Sequence, residues 1–157
     1  MRSDSLNVSS GSYRKDVREL IYCQDNTTTI ELAVESSGAL VLLRACGGTK
    51  LINLPDASDN SGVWYDFYLH ETTDGTITVQ SQDGTDFFAG SIADGEGDPA
   101  AQVVYNGSSH DQLAIASGAA VSELEFGLVC DGSNWLIVRG ISQDISDVSA
   151  AASSSNT

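Results

Sequence analysis

Short runs of alternating apolar and polar residues recur along the chain. Residues 28–35 point Ile30, Leu32 and Val34 one way, with Thr29, Glu31 and Glu35 the other. Residues 63–70 place Val63, Tyr65, Phe67 and Leu69 on one face, 76–81 offer Ile77 and Val79, and 124–130 offer Leu124, Phe126, Leu128 and Cys130. A period of two is the signature of strands with one buried face. Two runs, 39–43 and 135–138, are apolar on both faces, which predicts central strands or strands at a subunit contact. Between the runs stand turn pairs: Asp74-Gly75, Asp83-Gly84, Asp94-Gly95, Asn106-Gly107 and Asp131-Gly132, with Asn60-Ser61-Gly62 beside them. Such pairs supply the positive φ angles of tight hairpins. The pattern predicts an all-β protein, an antiparallel sandwich or barrel of about nine to eleven short strands.

Two segments fit less well. In 12–24, Tyr13, Val17, Leu20 and Ile21 fall at helical spacing behind Ser12 as a cap, and the same residues serve equally as a strand. Near the end, Ile141, Ile145, Val148 and Ala152 also show helical spacing before the chain dissolves into Ala and Ser. Such a tail is expected to need a neighbouring copy or a larger assembly to order it, because its own burial does not offset the entropy. The organisation read from this is an N-terminal arm (1–24), a β-rich domain (25–140) and a C-terminal tail (141–157).

Charge sharpens the division. Of 157 residues, 22 are acidic and seven basic, a formal net charge of −15. Six of the bases (Arg2, Arg14, Lys15, Arg18, Arg44, Lys50) lie in the first 50 positions, where six acids balance them. The remaining 107 residues hold sixteen acids and one base, Arg139. Nucleic acid is thereby excluded as a partner, since a phosphate backbone needs clustered Lys and Arg. An anionic membrane surface is excluded for the same reason. No apolar run approaches the roughly 20 residues of a membrane span, and Met1 to Ser5 lead into polar residues instead of the apolar core of a secretory signal. With 22 Ser, 10 Thr and 15 Gly, the composition is that of a turn-rich β protein. Cys23, Cys46 and Cys130 are odd in number and widely spaced, so they read as buried free thiols of a chain folded under reducing conditions.

Catalytic and metal chemistry find little purchase. Ser109-His110-Asp111 holds the residue types of a hydrolase triad, yet three consecutive residues do not converge on one point. His70-Glu71 closes a strand that carries Asp66. The acidic loop Asp94-Gly95-Glu96-Gly97-Asp98-Pro99 has Pro where a calcium-binding EF-hand needs Gly, leaving a non-EF calcium site from Asp83, Asp86, Asp94 and Glu96 as the alternative to a solvated turn. No spacing selects a carboxylate pair for glycoside hydrolysis. No enzyme, no cofactor and no metal is expected. Among the aromatics, Trp64, Phe67, Phe126 and Trp135 are assigned to the core; an exposed Trp64, Tyr68 or Trp135 would instead suit sugar stacking.

One region is more specific than composition. The strand Leu124 to Cys130, the turn Asp131-Gly132-Ser133-Asn134 and the Trp135-led strand to Gly140 resemble the closing hairpin of structural modules in tailed bacteriophages. The phrase Ile52-Asn53-Leu54-Pro55-Asp56-Ala57, then Gly62 and Trp64-Tyr65-Asp66-Phe67-Tyr68, is similar to the opening of the same module. Ile77-Thr78-Val79 and Leu113-Ala114-Ile115 stand where its middle strands fall, so the resemblance spans about 51–140. It implies a capsid decoration (cement) protein or a related fibre module: a homotrimer acting mechanically, with the major capsid protein as its partner. The expected place is the outer capsid surface of the virion, after synthesis in the host cytoplasm. The heptads or collagen-like repeats of a fibre shaft are missing, which favours decoration over a receptor- or carbohydrate-binding fibre. Candidate capsid or inter-subunit contacts are Arg14, Lys15 and Arg18 in the arm and Ile141, Ile145 and Val148 in the tail.

Overall fold

The structure, a computed structural model, describes residues 18–23, 28–43, 48–81, 85–96, 101–119 and 124–152. Twelve strands lie among the described residues: β1 (Leu20–Cys23), β2 (Thr29–Glu31), β3 (Leu40–Leu43), β4 (Lys50–Leu54), β5 (Trp64–Leu69), β6 (Ile77–Ser81), β7 (Phe88–Asp94), β8 (Gln102–Asn106), β9 (Gln112–Ile115), β10 (Leu124–Cys130), β11 (Trp135–Ser142) and β12 (Val148–Ala151). They form a seven-stranded sheet in the order β1-β3-β5-β10-β11-β7-β8 and a five-stranded sheet in the order β12-β9-β6-β4-β2.

The all-β sandwich is as the alternation predicts, but the sheets are mixed. Five of the ten pairings among the described residues are parallel: β1–β3, β3–β5, β2–β4, β4–β6 and β7–β11. Successive strands from β1 to β6 switch sheets at every step, so the chain winds like a coil. Parallel neighbours need a crossover, and here the strand in the opposite sheet supplies it. Among the described residues, two turn pairs stand at hairpins: Asp131-Gly132 joins β10 to β11, and Asp94-Gly95 leaves β7 towards β8; Asp83-Gly84 lies outside the described residues. Asn60 to Gly62, Asp74-Gly75 and Asn106-Gly107 are corners between sheets. In the first hairpin, Asp131 Oδ1 accepts from the N–H groups of Ser133 and Asn134 at 2.8 and 2.7 Å, an Asx turn that specifies the reversal.

The alternating apolar sets meet between the layers. Tyr65, Phe67 and Leu69 of β5, Leu124, Phe126 and Leu128 of β10, and Trp135 of β11 face Ile52, Ile77, Val79, Leu113 and Ile115 of the other sheet. Phe67 and Phe126 pair across β5 and β10 and stack with centroids 4.6 Å apart, an arrangement that adds to area burial. At one lateral edge Tyr105 of β8 donates its hydroxyl to the Ser149 carbonyl of β12, tying the two sheets together. The Tyr65 hydroxyl reaches the Ala33 carbonyl at 2.7 Å.

Both phenols are held neutral by this packing. Burial, with Glu35 adding to it, pushes Tyr65 from 10.0 up to about 12, and burial moves Tyr105 in the same direction. A raised folded-state value means the unfolded chain releases protons first as pH rises. Their contribution is therefore complete below pH 10 and declines as pH climbs through the folded values. Urea midpoints measured from about pH 8 to pH 11 are expected to fall only above pH 10, and less steeply in Tyr65→Phe. A flat profile would remove this account.

The ends differ from their expected forms. Residues 20–23 are a strand parallel to β3, which decides the helix-or-strand alternative for that stretch; 12–17 lie outside the described residues. The run at 28–35 stops as a strand at Glu31, and Val34–Ser36 form a 3₁₀ turn. Ile141, Ile145 and Val148 do not share a helix. Ile141 is the penultimate residue of β11, Ile145 opens a 3₁₀ turn capped by Asp144, and Val148 begins β12. Two hydrogen bonds from Ser146 to the Asp144 carboxylate hold that acid below its usual range. Residues 148–151 pair with β9 of the same chain, so this part of the tail needs no neighbour to order it.

Candidate functional site

The outer faces of the two sheets differ in chemistry. On the five-stranded sheet, register aligns Glu31, Asn53, Gln80 and Gln112 across β2, β4, β6 and β9. Their side chains bond in sequence: Asn53 Nδ2 donates to Glu31 Oε1 at 2.7 Å, Gln80 Nε2 to Asn53 Oδ1 at 3.0 Å, and Gln112 Nε2 to Gln80 Oε1 at 3.0 Å. A self-satisfied polar ladder suits a face turned to water.

The seven-stranded sheet presents the reverse. Its pairings line up three rows of outward residues, because side chains two apart share a face. One row runs Tyr22, Leu42, Tyr68, Glu125, Ile141, Ala93. The next runs Leu20, Leu40, Asp66, Gly127, Arg139. The third runs Trp64, Val129, Leu136, Ala89. A bulge in β11 opposite Gly127 and Leu128 puts Val138 and Arg139 side by side on this face, and Val138 is 61% exposed. Val104 of the edge strand β8 is 53% exposed.

At the centre of this face the charges cancel. Asp66, with only 14% of its side chain exposed, takes Arg18 on Oδ2 and Arg139 on Oδ1 at 3.3 Å. Arg139 Nε also lies 4.0 Å from Glu125 Oε1. The Arg18 guanidinium sits 5.0 Å from the centroid of the Trp64 ring, a cation–π contact. Gly127 leaves the space that the Asp66 carboxylate occupies: a Cβ there would come within 2.9 Å of Oδ1.

Of the candidate contact residues, Arg18 and Ile141 share this face, while Arg14 and Lys15 lie outside the described residues. Val148 is buried in the chain's own core, and Ile145 is partly buried against it. Phe67, Phe126 and Trp135 are buried. Trp64 is not: on β5 it alternates away from Tyr65 and stands half-buried on the outer face under Arg18. Of the residues suited to sugar stacking, Trp135 is sealed in the core, while Trp64 and Tyr68 both stand partly exposed on the outer face of β5.

The chemical candidates do not converge either. Ser109 Oγ bonds to Asn106, while His110 stands edge-on to the Tyr105 ring. His70 Nδ1 and Glu71 approach to 3.6 Å at an exposed strand end. Asp86 is buried and accepts the Ala57 N–H at 2.6 Å, beyond the opposite end of β7 from Asp94; the length of β7, seven residues and roughly 20 Å, separates the two. That separation overturns the calcium site built on both, and Asp83 lies outside the described residues. Among the described residues no group of three or more His, Cys, Asp and Glu has the geometry to hold a metal. Cys23 and Cys130 are buried, and burial pushes Cys130 up; Cys46 lies outside the described residues. No helix among the described residues is long and apolar enough to cross a membrane.

The candidate site is thus the apolar outer face of the seven-stranded sheet, in a mixed two-sheet β sandwich whose other outer face is polar. No known protein-family model matches the chain, and no curated protein is significantly similar to it. Sequence reasoning missed Asp66 as the hub. The available signal was that 39–43, 64–69 and 135–138 all carry apolar residues at both parities.

Proposed function

We propose that the chain is a capsid decoration protein of a tailed bacteriophage, a homotrimer that seats on the outer shell and braces the joints between subunits of the major capsid protein. The observation that carries this reading is the broad apolar, charge-neutral face of the seven-stranded sheet on a molecule of net charge −15. Surfaces of this kind mark protein contact. The mechanism is mechanical: several copies joined to one another gain effective concentration, so modest contacts per copy add up across a shell. The polar ladder and the remaining acids would face solvent. A carbohydrate-binding fibre module is the weaker reading, because Arg18 covers a face of Trp64.

Mixing purified protein with undecorated phage shells tests the proposal. Stoichiometric co-sedimentation and a higher shell disruption temperature are the expected outcome. Absence of binding at saturating protein would refute it.

A further inference from the structure

We infer that the outer face of the seven-stranded sheet is the surface through which copies of this chain associate, with Asp66 and Gly127 at its centre. The inference rests on the homo-oligomer in the reading above and names its interface.

Charge identifies the occupant. The described residues include three bases, of which Lys50 is buried; the two exposed ones, Arg18 and Arg139, both stand on this face. They match Asp66 and Glu125, so this region is neutral while the molecule as a whole carries −15. Two strongly acidic copies repel over most of their surfaces, and here they can approach with the least repulsion. A basic partner would instead be drawn to the acids elsewhere. An acidic partner unrelated to this chain would have no counterpart to the self-cancelling charges.

Area agrees. Seven strands about 4.8 Å apart, two of them (β1 and β3) with two outward residues and five with three, at about 7 Å spacing, make a face roughly 34 Å wide and 14–20 Å deep. That is of the order of 600 Å², against roughly 800 Å² per partner for a standard stable interface. The face has an apolar field of Leu20, Leu40, Val138 and Ile141 around a closed polar centre, the anatomy of a contact with its hydrogen bonds already satisfied.

The test is sedimentation of the full chain, alone, at about 100 µM, a concentration at which micromolar association is nearly complete. Wild type is expected to run as an oligomer. Val138→Glu and Ile141→Glu, both at positions exposed in the protomer, are expected to weaken association at least about tenfold, because a carboxylate trapped in the contact loses its hydration. Val138→Ser repeats the test without added charge and is expected to weaken association less. Thr29→Glu adds the same charge on the edge strand of the other sheet and should leave association at the wild-type level. Near-ultraviolet circular dichroism checks that each variant is folded. Raising salt should tighten association, since screening relieves repulsion between like-charged copies.

A monomeric wild type, an oligomer indifferent to both Glu variants, or equal weakening by Thr29→Glu would overturn the inference. Shell binding is read separately. A monomer that binds shells refutes this interface and leaves the decoration role, whereas an oligomer broken as expected that ignores shells does the opposite.

Discussion

Replacing Trp135 by alanine is expected to lower stability by about 3–5 kcal/mol, the range for truncating a fully buried large aromatic. The side chain is 0% exposed, opens β11, and lies opposite Cys130 of β10 and Phe88 of β7. Its ring centroid is 5.9 Å from that of Tyr65. The loss would therefore open a cavity where the two central strands meet β7, and a domain of ordinary stability has about 5–15 kcal/mol to lose. Trp135→Phe is expected to cost less than half as much. Its indole Nε1 is buried and has no hydrogen-bond partner among the described residues, and an unsatisfied buried donor costs about 1–3 kcal/mol. Phenylalanine keeps most of the volume and removes that donor. Urea unfolding followed by far-ultraviolet circular dichroism measures both variants without depending on the indole removed. A phenylalanine variant as unstable as the alanine one would show that the indole is satisfied or that its shape alone matters.

The same residue marks how far pattern reaches. Phe126 and Phe67 were legible as core because each falls on the apolar parity of its strand, and parity depends only on adjacent residues; Trp135 was legible because its run is apolar at both parities. Trp64 was not, since an aromatic-rich stretch invites burial of all its rings although alternation allows only Tyr65, Phe67 and Leu69 inward. The Asp131-Gly132 reversal was legible because its bonds are local. Asn60 to Gly62, Asp74-Gly75 and Asn106-Gly107 carry the same turn chemistry but change sheets, and turn chemistry does not say which sheet receives the next strand. The coiled parallel winding of β1 to β6 was thus invisible, being a matter of long-range pairing. Helical spacing of Ile141, Ile145 and Val148 misled for a related reason. An outward strand residue, a 3₁₀ turn and an inward strand residue reproduce the intervals of one helix face. The contact surface needed register: Asp66, Gly127 and Arg139 become neighbours only once β5, β10 and β11 are aligned.

That alignment makes Gly90 a sensitive backbone position, and Gly90→Ala is expected to destabilise the fold by about 3–5 kcal/mol, combining backbone strain with overpacking. Gly90 lies inside β7 at φ +127°, a region side-chain-bearing residues rarely enter. It pairs with Ile137 of β11 and Tyr105 of β8. An added Cβ would lie 2.7 Å from the Ile137 carbonyl oxygen and 3.0 Å from its Cβ, so backbone must move. Ile137 borders the bulge that brings Val138 and Arg139 together on the outer face, and displacing it disturbs both layers. Gly118→Ala separates the two causes. Gly118 also has a positive φ, of +92°, but no atom lies within 4 Å of its missing Cβ. Strain alone should cost it about 1–2 kcal/mol. Unfolding free energies of the two variants decide the matter: a Gly90→Ala cost no larger than that of Gly118→Ala would mean that β7 and β11 do not approach as closely as the paired register requires.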